Sequence, residues 1–217
     1  MDTTIYLIRH SVRYDVKNII DEYNTTEDKH LKNQKLVLTP LGEKRAEILS
    51  NEEELQNIDV AYASHYVRTL QTAKYLLEKQ NLKINIDERF GERESGKPND
   101  DVYPNWYELQ YKDENFKTEG GESQLDVRNR VSQAFFEAVE KNRGKRIAIF
   151  AHDYAISFFL LKWCKVVEVN ANRKLTLSFN DKIIFDKVMQ MPELFKLIID
   201  GNNNPKSIEL IEFDDLK

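Results

Sequence analysis

Apolar positions along the chain repeat with two periods, and the period changes every ten to twenty residues. Thr3–Arg9 (TTIYLIR) is a short run of β-branched and aromatic residues and predicts a buried strand. Thr39 and Pro40 form a helix start, with Thr39 as N-cap and Pro40 at the first helical position, and the helix is expected to run to about Glu53. Asp59–Ser64 reads as a second strand. Tyr66–Gln80 follows as a helix with Val67, Leu70, Ala73, Leu76 and Leu77 as its apolar stripe. Lys83–Asp87 alternates like a strand, and Arg89–Gly121 is mostly irregular with a short helix near Trp106–Tyr111. Ser123 and Asp126 have capping-box spacing before a long helix that Gly144 closes. Arg146–Ala151 is a buried strand and Ile156–Cys164 an apolar helix. Leu194–Ile199 and Ser207–Phe213 flank Asp200-Gly201-Asn202-Asn203-Asn204-Pro205, a turn signal that predicts a terminal hairpin.

Alternating strands and helices imply an α/β sandwich around a largely parallel, mixed sheet. The 217 residues suit a single domain spanning 1–217, with the irregular segment at about 93–120 as a lid or binding element. Composition narrows the classes. Hydrophobic residues are 41% and charged residues 32%, which argues against disorder. No apolar run approaches the roughly 20 residues of a membrane span, and the first residues lack a secretory pattern. A net charge of -5 without a basic run argues against nucleic acid. Cys164, the lone cysteine, fits a reducing cytoplasm and reads as a core thiol.

In such sheets, ligands bind beyond the carboxyl ends of the strands. His10 ends the first strand and His152 the Arg146–Ala151 strand, so both should open onto one edge. Ser64 and His65 end the second strand, Arg68 lies in the first turn of the next helix, and Glu92 and Glu94 follow the third strand. Two guanidiniums, from Arg9 and Arg68, with a helix N-terminus make an anion site suited to phosphate. An imidazole beside it can attack phosphorus. A carboxyl group can protonate the departing oxygen and then take a proton from water, and a second histidine can donate to the phosphoryl oxygens. No HExxH, CxxC or ligand-spaced cluster suggests a metal, and two arginines would repel one. His65 reads equally as lining the site or as structural, and His30 as exposed in a polar loop. Tyr103, Trp106, Tyr107, Tyr111 and Phe116 are packing residues or selectors of substrate shape.

These residues sit in segments that resemble a known family. Leu7-Ile8-Arg9-His10 resembles the start of the histidine phosphatase superfamily, in its phosphoglycerate mutase-like branch. Leu38-Thr39-Pro40-Leu41-Gly42 is similar to the family's helix start, and Ala63–Ala73 to its segment bearing the second arginine. Asp87–Glu92 resembles the segment that ends in the general acid, Gly120–Ser123 with Asp126 and Arg130 the next one, and Ile149–His152 the second histidine motif. The six occur in the family's order from residue 5 to about 160. The resemblance implies a phosphoglycerate mutase-like three-layer α/β/α sandwich with no cofactor and no metal. It implies His10 as the phosphorylated nucleophile, Arg9, Arg68 and His152 as phosphate-holding groups, and Glu92 as general acid and base, with Glu94 the alternative.

The chain departs from the family pattern at Ser11 and Asp153, where glycine is usual, and at His65, often proline. Arg13 and Lys17 stand where the family has other residues. The expected function is a metal-independent phosphatase acting on a small phosphomonoester. A mutase is the alternative, disfavoured because only about thirty residues separate Glu92 from Ser123. Ser11 and Asp153 motivate a third reading, a weakly catalytic module that binds a phosphorylated ligand.

Overall fold

A computed structural model describes residues 1–15, 29–97 and 103–213; Lys17 and part of the 93–120 segment lie outside them. The main sheet has six strands in the order β3-β2-β4-β1-β8-β9. These are β1 (Thr3–Arg9), β2 (Val60–Ala63), β3 (Ile84–Ile86), β4 (Arg146–Ala151), β8 (Glu193–Ile199) and β9 (Pro205–Ile211). The first four are mutually parallel, with Leu7 opposite Ile149 and Ala61 opposite Ala148. β8 and β9 extend the sheet antiparallel beyond β1, as the expected hairpin.

Side chains alternate across this sheet and define two apolar layers. Ile5, Leu7, Ile147, Ile149, Phe195 and Leu197 face one side, where Val127, Val131, Phe135 and Phe159 cover them. Tyr6, Ile8, Ala148, Phe150 and Leu194 face the other, beneath Leu49, Ala73 and Leu76. The covering helices are α5 (Gln124–Lys141) and α6 (Asp153–Leu160) on the first face, and α2 (Pro40–Asn51) and α3 (Val67–Gln80) on the second. A short α1 (Lys29–Lys35) precedes them, and α4 (Trp106–Lys112) lies in the irregular segment. The three-layer α/β/α arrangement expected from the sequence is what forms.

The caps form as the residue types dictate. Thr39 Oγ1 accepts the Gly42 N–H at 3.0 Å, and Ser123 and Asp126 exchange both capping-box hydrogen bonds at 3.0 and 3.1 Å. Gly42 has a further reason. A Cβ there would stand 2.0 Å from the Val12 carbonyl oxygen, which itself accepts from Thr39, so α2 can pack directly on the chain leaving His10 only without a side chain at 42.

Three elements differ from expectation. α6 begins at Asp153 rather than Ile156, because the His152 carbonyl already accepts the Ile156 N–H at 2.9 Å. The buried side of α3 comprises Arg68, Thr69, Thr72, Ala73 and Leu76, so its first two turns turn polar groups inward. Finally, a three-stranded antiparallel sheet, β5 (Lys165–Val169), β6 (Leu175–Phe179) and β7 (Lys182–Lys187), occupies a stretch to which the sequence reading assigns no element. It packs Leu175, Leu177 and Phe185 into the core layer shared with α5 and α6.

Candidate active site

The carboxyl ends of β1, β2 and β4 meet at one edge and bring His10, Ser64 and His152 together in the interior. His10 is 2% exposed and His152 fully buried, with ring centroids 5.3 Å apart and the rings edge to face. The His10 Nδ1 lies 2.8 Å from the Ser11 carbonyl oxygen. A carbonyl only accepts, so Nδ1 carries the proton and, in the neutral ring, the lone pair is on Nε2. Burial, then the charges of Arg68 and Arg9, hold the His10 pKa well below the usual 6.5. The backbone turn after His10 is fixed from α3, where Thr72 Oγ1 accepts the Ser11 N–H at 2.9 Å. Ser11 is itself fully buried, and its hydroxyl has no partner among the described residues.

His152 is held differently. Its Nε2 is 2.7 Å from Ser64 Oγ, which also lies 2.9 Å from Thr69 Oγ1 and accepts the Tyr66 N–H at 3.3 Å. Nδ1 is buried with no partner among the described residues. Burial, Arg68 and His10 lower its pKa well below 6.5. The Tyr66 ring lies against His152 at 4.6 Å and carries the Arg68 guanidinium 4.6 Å over its own centre.

Arg68 is 1% exposed; Nη1 donates to the Asn33 carbonyl at 2.6 Å, while Nε is buried with no acceptor among the described residues. Burial pushes its pKa down to about 9, opposed by Glu92. A buried cation short of counter-charge favours an arriving anion. Arg9 is more occupied. It donates through Nη1 to the Met189 carbonyl, and its Nη2 is 3.4 Å from Asp153 Oδ2. The acidic side chain at the usual glycine position is thus paired with Arg9, leaving Arg9 Nε buried and unpartnered among the described residues.

Glu92 and Glu94 separate clearly. Glu94 is exposed and its Oε1 is 3.0 Å from His30 Nε2. His30 sits in α1 rather than in a loop; with His65 it lines a cavity of about 280 Å³ beside Tyr66 and Gly91. Glu92 Oε1 accepts the Arg93 N–H at 2.9 Å. Burial raises the Glu92 pKa above the usual 4.5, Asp153 adds to this, and the Arg93 N–H, Arg68 and Arg9 oppose it. Among the described residues no three or more His, Cys, Asp or Glu side chains are placed to hold a metal, and no helix is long and apolar enough to cross a membrane.

Sequence reasoning missed the scaffold beneath Glu92. Arg130, from α5, donates to the backbone carbonyls of Arg89, Gly91 and Glu92 at 2.7, 3.0 and 3.2 Å. Its other face pairs with both Glu122 oxygens, at 2.7 and 2.8 Å. The roles of Ser64 and Thr69 were missed likewise. Their only signal was that two hydroxyls five residues apart follow a strand end.

A three-layer sandwich with two buried histidines and two arginines at the carboxyl ends of its parallel strands defines a class of phosphate-handling protein. The histidine phosphatase superfamily (branch 1) matches residues 5–180, and the chain belongs to that family. Phosphoserine phosphatase 1 of Hydrogenobacter thermophilus is 32% identical over 127 residues, 53% of this chain and 58% of that protein. The chain therefore matches little more than half the length of this relative. YhfR of Bacillus stearothermophilus superposes with a TM-score of 0.71 at 20% identity, covering 99% of this chain and all (100%) of that one. Phosphoserine phosphatase from Entamoeba histolytica superposes with a TM-score of 0.62 at 15% identity, covering 99% and 98%.

Proposed function

We propose that the protein is a metal-independent phosphatase that hydrolyses a small phosphomonoester through a phosphohistidine on His10. The observation that carries this is the Nδ1 hydrogen bond to the Ser11 carbonyl, which leaves a neutral nucleophilic nitrogen at Nε2 among cationic groups. Nε2 attacks phosphorus and the ester oxygen departs with the Glu92 proton. Water, deprotonated by Glu92, then cleaves the N–P bond and restores the ring. Arg68, the Nδ1–H of His152 and a share of the Arg9 guanidinium hold the phosphoryl oxygens. Residues 93–97 and 103–120 border the alcohol, and the chain works as one domain in the cytoplasm, in keeping with its single, buried Cys164.

The test is phosphate release from a panel of phosphomonoesters in chelator, repeated with His10→Ala and with an alkaline quench to trap labelled phosphohistidine. Release surviving the substitution sinks the nucleophile assignment, and isomerisation without release marks a mutase. Asp153 favours a second reading, because its pairing with Arg9 occupies a phosphate-holding group. Phosphate-ligand binding with no turnover supports that weakly catalytic module.

A further inference from the structure

Tyr66 stands at the N-cap of α3, where short polar side chains are favoured, and its own side chain makes no cap hydrogen bond. Its main chain is held from both sides instead. The Ser64 hydroxyl accepts its N–H at 3.3 Å, and its carbonyl accepts the Thr69 N–H at 3.1 Å and the Thr69 hydroxyl at 2.7 Å. An aromatic ring that breaks a local preference in so fixed a place marks a demand of the site rather than of the helix. The residue is 1% exposed. Its ring packs against His65 at 4.8 Å and His152 at 4.6 Å, and the Arg68 guanidinium lies over its face at 4.6 Å. The support under Arg68 is uncharged. Nη1 donates to the Asn33 carbonyl, the ring supplies the face, and Glu92 acts on the charge without pairing with it. A carboxylate beneath the guanidinium would hold it more firmly but would cancel the charge that an arriving phosphate needs. A π face attracts a cation without cancelling it.

We infer that Tyr66 is a positioning residue for phosphoryl binding: its ring face fixes the Arg68 guanidinium and leaves Nε and the whole positive charge for the phosphoryl group. This rests on Arg68 being a phosphate-holding group, but not on turnover. The same ring lies against His152, so the two donors to the phosphoryl oxygens share one wall. Burial holds both neighbouring imidazoles below their usual pKa, so at neutral pH the guanidinium is the cation on which the ring's electrons act. The phenol oxygen has no part in this, because the attraction comes from the ring.

The experiment measures calorimetric binding of inorganic phosphate at neutral pH as the ring is altered. Tyr66→Leu, which removes the face, should weaken binding by about tenfold or more, and Tyr66→Phe should recover most of that loss. Mono-, di- and trifluorinated phenylalanines at the same position withdraw electrons from the face at nearly constant shape, so the series holds even if the leucine variant fails to fold. The logarithm of Kd should rise steadily along it, to about tenfold weaker binding with the trifluorinated ring. A packing role alone would leave Kd flat. An affinity unchanged along the series, or a Tyr66→Phe loss as large as that of Tyr66→Leu, overturns the proposal. A wild type that binds no phosphate overturns it too, because Arg68 then holds none. Binding that follows the series in a protein hydrolysing no phosphomonoester would break the phosphatase reading while upholding the positioning role, and hydrolysis with an unchanging Kd would do the reverse.

Discussion

The ends of β1 and β4 deliver the same side chain to the same site, yet hold it by different chemistry. At β1, His10 Nδ1 faces a backbone carbonyl, 2.8 Å away, which can only accept. At β4, His152 Nε2 faces the Ser64 hydroxyl, 2.7 Å away, which can accept or donate. The carbonyl fixes one tautomer, as a nucleophile requires, because a proton on Nε2 would remove the attacking pair. The hydroxyl permits either. With Ser64 donating, the proton of the neutral ring sits on Nδ1 and is available to a phosphoryl oxygen. With Ser64 accepting, Nε2 carries the proton, and Nδ1 has one to give only if the ring is cationic. Thr69 supports the arrangement by bonding to Ser64 through its own hydroxyl. Two rings with similar burial and similarly lowered pKa thus divide into one of fixed tautomer and one whose tautomer follows its hydroxyl partner.

Substitutions should break this comparison unequally. His10→Ala should lower kcat by about ten-thousandfold or more and abolish the trapped phosphoenzyme, because the proposed nucleophile is lost. His152→Ala should cost about a hundred- to a thousandfold in kcat while leaving a phosphoenzyme detectable, as expected for one lost transition-state donor. Steady-state rates with the labelled trap distinguish the two, and a trapped phosphohistidine persisting in His10→Ala would reverse the assignment.

Ser64→Ala should cost about tenfold and change the ring-nitrogen NMR signals of His152 but not of His10. Movement of both would mean the rings are not held independently. The smallest effect concerns pH. Activity should fall as pH drops through the lowered His10 pKa, since protonation there removes the nucleophile. It should also fall as pH rises through the raised Glu92 pKa, since ionisation there removes the acid, giving a bell-shaped profile bounded by the two groups. Asp153→Asn removes one cause of the Glu92 shift, so the alkaline limb should move to lower pH while the acid limb stays near its place. An alkaline limb that stays put, or moves upward, would separate Asp153 from Glu92.

The sequence displayed the parallel half of the fold well. β1 and β4 are buried on both faces, so they read as unbroken apolar runs, and their ends mark the histidines directly. The three-stranded sheet was hidden because β5 and the rim of β7 expose much of their surface, so no clean alternation survives. Its β6–β7 turn is Asn180-Asp181, both at positive φ (48° and 60°). That is a hairpin turn made without the glycine that usually announces one. α3 misled for a related reason. Its apolar residues suggested one face, but the buried face rotates toward Arg68, Thr69 and Thr72, because near the site polar groups are what must be inside. The choice of Glu92 over Glu94 was legible only as spacing; the structure separates them by burial and by the His30 partner of Glu94. Arg93, buried in the structure, could not be singled out, since nothing in an Arg–Glu-rich string tells an inward guanidinium from an outward one.

The grip of Arg130 on residues 89–92 has a consequence for how such a site can diversify. It grasps main-chain oxygens, which every amino acid possesses. The address of the Glu92 carboxyl is therefore written in the path of the backbone, not in the spelling of the residues before it. The guanidinium would still find its carbonyls after a change of side chain at Phe90, provided the backbone path holds. What must travel together is the pair Glu122 and Arg130, eight positions apart, the first just before the Ser123 cap and the second within the helix. With that pair intact, neighbouring positions can be traded for other side chains while the Glu92 carboxyl stays at its post.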